Sequence, residues 1–420
     1  MMDLKPPRGT RDFFPEDMRL RNWLFGHFRE VARQFGFEEY DTPVLEKEAL
    51  YIRKAGEEIT GQLYNFEDKG GRKVALRPEM TPSLARLILQ KGGALSLPAK
   101  WYSIPQCWRY ERMTRGRKRE HYQWNMDVFG VADVTAEAEL LGAITTFFQR
   151  IGLTAEDIGI KVSSRKLLQG VLDQLGVRED QFAAVCVLVD KLEKLPREAI
   201  QTEMTELGLD DARIDGIIDA LSLRDIDGLE RILGAEHEAV HDLRKLFDLA
   251  NDYGFADWLV FDASVVRGLA YYTGIVFEAF DRGATLRAVC GGGRYDRLLS
   301  TFGGKDLPAC GFGFGDVVIV ELLKDKGLLP KLESTIDDVV FAFDSALRGA
   351  AMKVAQTLRE SGRAVDLILE AKKVKWAFKH ADRRGALRMV LVAPDEWAQG
   401  QVRVKDLQSG TEENVALDAL

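Results

Sequence analysis

The stretch richest in potential chemistry runs from Arg109 to Arg119, where Arg109, Arg112, Arg115, Arg117, Lys118 and Arg119 crowd around a single acid, Glu111. Apolar and aromatic residues precede it from Trp101, and large alternating side chains follow it to Gly130. That pattern predicts strand, basic loop, strand. Guanidinium groups present planar forks of donors that match phosphate oxygens, so such a loop suits phosphate handling. A charged hairpin facing water has the same composition. A second cluster is Arg77-Pro78-Glu79-Met80-Thr81, at the head of a helical pattern over Pro82 to Leu89. Here Thr81 suits an N-cap and Pro82 the first turn, and capping alone would account for Glu79 and Thr81. Gly268 and the pair Tyr271-Tyr272 mark a loop entering a strand, Ile275 to Phe280. Glycines recur in Gly291-Gly292-Gly293-Arg294-Tyr295-Asp296, after a strand ending at Val289-Cys290, and in Ala309 to Gly315. Glycine permits close approach of backbone or ligand. Finally, His237-Glu238-Ala239-Val240-His241 fits a zinc-hydrolase pattern. On one helix face two imidazoles could bind zinc with the glutamate as base. Glu236 and Asp242 flank it, the segment continues as an ordinary amphipathic helix, and no third ligand is evident. The imidazoles are therefore expected to be solvated helix side chains.

These groups need a scaffold. Met18, Leu20, Trp23, Leu24, Phe28, Val31, Ala32 and Phe35 predict an amphipathic helix over Asp17 to Phe35, stopped by Gly36. Phe37 to Val44 reads as a strand closing near Pro43, and Leu63–Phe66 with Lys73–Leu76 as a hairpin. Gln123, Asn125 and Asp127 should share one strand face, since side chains alternate with a period of two. A helix follows over Thr135 to Ile151, then a strand over Ile158 to Val162. Lys166 to about Tyr253 is helical and charged, and carries none of the clusters above apart from the zinc-like one. Trp258 to Phe261 reads as a strand, and Ala309 to Gly315 as a strand turning into a helix, Val317 to Leu323. After a linker containing Pro330, strand and helix alternate from Asp338 to Lys405, which predicts a small α/β domain. Lys372, Lys373, Lys375, Lys379, Arg383 and Arg384 cluster there with Trp376, Phe378 and His380. A basic face with aromatics suits single-stranded RNA loops, and a solvated helix is the plainer alternative.

Composition sets bounds. A 46% hydrophobic and 30% charged chain is that of a soluble globular protein with ample core. No apolar run approaches the ~18–20 residues of a bilayer span. The first residues lack an apolar targeting region, and the four cysteines (107, 186, 290, 310) form no CxxC pair. The expectation is a cytoplasmic protein with reduced thiols. The net charge of −8 argues against a nonspecific nucleic-acid coat while allowing a local basic surface.

Taken together, the helix, the Pro43-ended strand, Arg77-Pro78-Glu79-Met80-Thr81 and the basic loop after Trp108-Arg109-Tyr110-Glu111 resemble class II aminoacyl-tRNA synthetases, specifically the histidyl-tRNA synthetase family. Val266-Arg267-Gly268-Leu269-Ala270-Tyr271-Tyr272-Thr273 resembles a signature peculiar to that family, and Gly292-Gly293-Arg294-Tyr295-Asp296 another. The resemblance implies an α+β fold: a class II antiparallel sheet flanked by helices (1–325), a helical insertion (165–255) and a C-terminal α/β anticodon-binding domain (336–420). It implies a homodimer, with the first helix and the Pro43 strand at its interface. It implies ATP with Mg²⁺, L-histidine and tRNA(His) as partners. By the same resemblance, Arg109 and Arg267 are catalytic, contacting the α-phosphate and the substrate carboxylate. Glu79, Met80, Thr81, Gln123, Asp127, Tyr271, Tyr272 and Tyr295 bind histidine. Glu111, Arg117 and His121 join the two arginines on ATP. Arg112, Arg115, Lys372, Lys373 and Lys375 meet tRNA, and no protein-held metal is implied.

Several positions depart from the family pattern. His121 stands where an adenine-stacking Phe is usual, Asn125 where Gly is, and Ala270 where Asp is frequent. Val318 occupies the place of an arginine on the γ-phosphate. Losing one preorganised donor costs ~10²–10³ in rate. Either another cation, Arg117 or Arg297, takes over, or the chain no longer activates histidine. The rival expectation is a degenerate relative such as the regulatory subunit of ATP phosphoribosyltransferase, which should lack the anticodon-like domain and lose pocket residues.

Overall fold

The computed structural model describes residues 3–52, 61–189, 197–265, 271–333 and 336–420. The chain divides into two units, Met1–Leu329 and Pro330–Leu420.

The first unit is built on one large sheet. In chain order its strands are β1 (Glu38–Glu39), with β2 (Leu45–Lys47), β3 (Tyr64–Glu67) and β4 (Lys73–Leu76) set apart in a small sheet, then β5 (Ala99–Ser103), β6 (Gln106–Trp108), β7 (Glu120–Phe129), β8 (Ile158–Ser164), β9 (Leu259–Phe261), β10 (Ile275–Asp281), β11 (Cys290–Arg294) and β12 (Ala309–Gly315). The large sheet runs β1-β5-β7-β12-β11-β10-β8-β9, with β6 pairing β7. Only the outer pairs, β1 with β5 and β8 with β9, are parallel. This is a largely antiparallel α+β architecture flanked by helices.

Strand β7 shows how sequence sets the layers. Trp124, Met126 and Val128 enter the main apolar core. The intervening His121, Gln123, Asn125 and Asp127 face a cavity instead. Helices Pro15–Gln34 and Thr135–Arg150 cover the core face. Phe28 stacks on Trp124 at 4.7 Å, and Phe147 lies 4.8 Å from Phe28 and 5.1 Å from Phe314. Each such side chain contributes roughly 1.5–3 kcal/mol by leaving water. The cavity face is lined by polar groups because this helical layer already supplies the burial.

Helices Arg165–Gln174, Glu179–Val189, Arg197–Glu206, Asp211–Leu221, Ile226–Leu233 and Glu238–Tyr253 follow β8. Several gather around their own apolar cluster, including Ile200, Met204, Ile214 and Ile217. Ser164, Asp210 and Asp225 cap their helices by accepting backbone N–H bonds.

The second unit holds β13 (Asp338–Ala342), β14 (Val365–Leu367), β15 (Arg388–Val392), β16 (Gln401–Asp406) and β17 (Glu412–Ala416). Their order is β14-β13-β15-β16-β17. The first three are parallel, joined through helices Arg348–Glu360 and Val374–Arg383. Separate apolar clusters cover the two faces of this sheet. Among the described residues, no helix is long and apolar enough to cross a membrane.

Several local expectations are corrected. The strand expected over Phe37–Val44 shrinks to Glu38–Glu39, because Asp41, Thr42 and Pro43 turn to receive Arg77: its Nη1 donates to Asp41 Oδ1 at 2.8 Å and to the Thr42 carbonyl at 2.6 Å. Thr81 does not cap its helix; Met80 occupies the cap position with no side-chain bond, and Thr81 is the first helical residue. The glycines after Val289 do not follow a strand but form one, Cys290–Arg294. A Cβ at Gly293 would fall 2.5 Å from the Ile275 carbonyl, so tight packing selects glycine there. His237 is not a solvated helix residue. It precedes the helix Glu238–Tyr253 in extended backbone, its Nδ1 accepts from the Ala239 N–H, and its ring lies over Gly170. His241 is exposed on the helix proper, so the two imidazoles do not share a helical face.

Candidate active site

Glu79 enters the cavity from a turn held rigidly from behind. Arg77, buried, clamps Asp41 and Thr42 and also donates through Nε to the Gln106 carbonyl at 3.0 Å. Burial raises the pKa of Glu79, against the opposing pull of Arg109 and a hydrogen bond from Tyr271, whose hydroxyl lies 3.5 Å from Oε2. Met80 points the other way. It is fully buried, and its Sδ accepts from Thr42 Oγ1 at 3.5 Å, so it does not line the cavity.

Asp127 lies on the same wall. The Tyr295 hydroxyl donates to its Oδ1, and burial pushes its pKa up to about 7. Space for Asp127 and Gln123 exists only because the facing strand β12 lacks side chains opposite them. A Cβ at Gly311 would overlap Asp127 Oδ1, and one at Gly313 would overlap the Gln123 amide. Tyr271 packs 4.9 Å from Tyr272 and 5.9 Å from Tyr295. Glu79, Asp127 and three tyrosines thus form an acidic, aromatic compartment.

The other compartment is cationic. Arg109 is fixed by its Nε donating to the Pro78 carbonyl at 2.9 Å. The basic loop turns at Thr114–Arg117, closed by the Arg117 N–H on the Thr114 carbonyl at 3.0 Å, with Gly116 at φ +78°. Arg117 meets Glu111 at 2.9 Å across the loop. His121 stands in the wall between Arg109 and Arg117. Burial first, then Arg109, Arg11, Arg287 and Arg117, lower its pKa to about 3, so the ring is neutral at ordinary pH. It can offer a face or a single hydrogen bond, and no charge.

One cavity of about 340 Å³ joins these compartments. Of the residues expected in the site, Glu79, Thr81, Arg109, Glu111, Arg117, His121, Gln123, Asp127, Tyr271, Tyr272 and Tyr295 line it. Arg267 lies outside the described residues. Arg112 is exposed beyond the lining, and Arg115 is taken up by Glu321 at 3.3 Å and Asp325 at 2.5 Å. Arg297 precedes the short helix Leu298–Thr301, is exposed and does not line the cavity, so it is not placed to replace an arginine at 318. In the second unit Lys372, Lys373 and Lys375 are exposed. Lys372 meets Glu370 at 2.8 Å, while Trp376, 39% exposed, stacks on His380 at 4.9 Å.

Other charged groups brace or line the site. Arg11 ion-pairs with Glu120 at 2.7 Å and Asp316 at 3.0 Å, tying the N-terminal segment beneath the basic loop. Burial works against Asp316, raising its pKa despite Arg11. Arg294, also buried, makes a bidentate pair with Glu137 at 2.7 and 2.6 Å and so anchors β11 to the helix Thr135–Arg150. Lys118 of the basic loop, Glu278 of β10 and Arg287 of the loop after β10 also line the cavity, although none was expected there.

Comparison with known proteins agrees with this geometry. The family profile for histidyl-tRNA synthetase matches residues 9–315, and that of an anticodon binding domain matches 329–420. A chloroplastic/mitochondrial histidine–tRNA ligase of Arabidopsis thaliana is 61% identical over 100% of this chain and 86% of its own length. The crystal structure of a histidyl-tRNA synthetase from Nostoc sp. PCC 7120 superimposes with a TM-score of 0.80 at 26% identity, covering 100% of this chain and 98% of that one. A Bacillus halodurans protein described as an ATP phosphoribosyltransferase regulatory subunit/histidyl-tRNA synthetase gives a TM-score of 0.78 at 22% identity, over 94% and 99% of the two chains, which shows a shared fold alone. With profile and whole-length relative in agreement, the chain belongs to the histidyl-tRNA synthetase family.

Proposed function

We propose that the protein is a histidine–tRNA ligase that joins L-histidine to ATP and passes the histidyl group to tRNA(His). The observation that carries this reading is the two-compartment cavity, acidic and aromatic at one end, cationic at the other, with Arg109 between. In the first step a carboxylate oxygen of histidine bonds to the α-phosphorus of ATP, and pyrophosphate leaves. In the second, a hydroxyl of the terminal adenosine of tRNA attacks the acyl carbon, and AMP leaves. Both steps build charge on oxygens, so cations placed beforehand lower the barrier.

In this reading Asp127 takes the substrate ammonium, with Gln123 beside it. Glu79 and Tyr271 satisfy the polar edges of the imidazole, and Tyr272, Tyr295 and Thr81 close the compartment. Unpaired polar groups in such a pocket reject wrong amino acids by ~10⁴–10⁵. Arg109, with Arg267, holds the carboxylate and α-phosphate together. Arg117 meets the outer phosphates, Glu111 the adenine amino group, and the neutral His121 ring the base. Among the described residues there is no cluster of three or more metal-ligating side chains. Mg²⁺ would arrive as the ATP complex, since this ion keeps its waters and prefers phosphate oxygens.

We also propose a homodimer, and contact of Lys372, Lys373 and Lys375 with the anticodon arm and of Arg112 and Arg115 with the acceptor end. Arg115 would have to exchange its carboxylates for phosphate. A reducing compartment suits the buried thiols of Cys107, Cys290 and Cys310. A cytoplasmic site is one such compartment, while the Arabidopsis relative is described as chloroplastic/mitochondrial. The test is charging of purified tRNA with labelled histidine by the pure protein. Histidyl-tRNA formed in proportion to enzyme supports the ligase reading. Histidine binding without any charging would favour the regulatory-subunit reading.

A further inference from the structure

We infer that Arg287 is a substrate-contacting residue of the activation step, gripping the outer phosphates of ATP and the pyrophosphate that leaves. The inference rests on the ligase reading and extends it to a residue that no sequence motif singles out.

Arg287 lies in the loop between β10 and β11 and lines the cationic compartment. Its aliphatic stem packs beside the turn of the basic loop: a Cβ on Gly116 would lie 3.7 Å from Arg287 Cγ and 3.3 Å from Val318 Cγ2. Arg287, Gly116 and Val318 are therefore immediate neighbours, and Val318 brings no charge there. Among the described residues no carboxylate approaches Arg287 to ion-pair distance; Glu111 and Glu278 act on it only through space. Its side chain is open to the cavity mouth, yet its charge is disfavoured by partial desolvation, then by Arg117 and Arg109. Three converging guanidinium groups against the acids Glu111 and Glu278 leave room for a polyanion to offset their mutual repulsion.

The loop is also built to hold that position. Asp281, buried, receives Gly283 N–H at 3.0 Å, Thr285 N–H at 3.2 Å and the Thr285 hydroxyl at 2.8 Å. Arg282, five positions earlier, is drawn outward to the Ala155 carbonyl at 2.7 Å. Arg287 is thus presented from an anchored base, and a guanidinium fork suits a phosphate oxygen pair.

The experiment compares Arg287→Ala and Arg287→Lys with the parent in histidine-dependent ATP–pyrophosphate exchange, alongside binding of a non-hydrolysable histidyl-adenylate analogue, which has no β- or γ-phosphate. Loss of one preorganised donor should lower exchange by ~10²-fold or more in Arg287→Ala, with a higher KM for ATP and pyrophosphate. The lysine variant should fall between the two, keeping charge without the fork. Analogue affinity should stay within about threefold, because that ligand lacks the outer phosphates. Unchanged exchange overturns the inference. So does a parallel loss of analogue affinity, which would mark a structural role. Absence of exchange in the parent would instead defeat the ligase reading itself, and the inference with it.

Discussion

Asp127 embodies a conflict between folding and binding. Its carboxyl is sealed between Tyr295 and the glycines of β12, and its pKa rises from 3.8 to about 7. A folded pKa above the unfolded one means that its contribution to stability is complete below about pH 4 and is lost as pH rises through about 7. The loss is on the order of a few kcal/mol. In the proposed assignment, the substrate ammonium would reverse the balance by pairing with the ionised form. Asp127→Asn should therefore raise the melting temperature of the ligand-free protein at pH 8 and abolish the upward shift that histidine causes. In the parent, the KM for histidine should fall as pH rises through 7. A melting temperature unchanged or lowered by the substitution would contradict this account. At this scale the motif residues were legible because their types and order carry the resemblance: Glu79, Arg109, Asp127 and Tyr295 all reach the cavity. Met80 was not, since a helix start does not reveal which way its residues point. Arg287 and Arg11 were not, since the groups they lie beside come from distant segments.

At the scale of elements, the cavity is shaped by what β11 and β12 omit. Antiparallel register places Gly311 opposite Asp127 and Gly313 opposite Asn125. A methyl group on Gly311 would overlap Asp127 Oδ1 and sit 2.8 Å from the Tyr295 hydroxyl. Gly311→Ala should thus cost histidine binding more than 10-fold, by calorimetry, while ATP binding changes little, because close packing leaves the added carbon no free volume. Equal losses for both ligands would assign Gly311 to the fold alone. The alternation of β7 was readable from its period of two. The strand over Ala309 to Gly315 was readable too, but that of Cys290–Arg294 was not, because glycine has low strand propensity and only the neighbouring backbones explain it. The second element-scale device is the clamp under the basic loop. Removing Arg11 would leave Glu120 and Asp316 buried without their counter-charge, a loss of about 3–5 kcal/mol. Arg11→Ala should lower the denaturation midpoint accordingly and raise the KM for ATP. A midpoint within error of the parent would show that the pairs are not coupled to folding.

The whole molecule separates activation from recognition. The cavity lies in the unit Met1–Leu329, and Pro330–Leu420 carries its own sheet and apolar clusters. Lys373 and Lys375 are exposed at the start of the helix Val374–Arg383, with Trp376 beside them. Replacing both lysines with glutamate should raise the KM for tRNA by 10-fold or more and flatten its salt dependence by about two counterions, while pyrophosphate exchange is untouched. Unaltered charging would remove this helix from the RNA-binding surface. The α+β fold was legible through the family resemblance, while helix and strand periods and the change of pattern after Pro330 marked single elements and the C-terminal α/β domain. The strand order was not, since pairings such as β7 with β12 join residues far apart in the chain.

If one cavity brings histidine and ATP into reaction, the pure protein must catalyse ATP–pyrophosphate exchange without tRNA, measured in the presence and absence of L-histidine. Exchange should depend on histidine, saturate with it, and disappear with Asp127→Asn. No exchange above the histidine-free background, from protein shown to be folded, would contradict it.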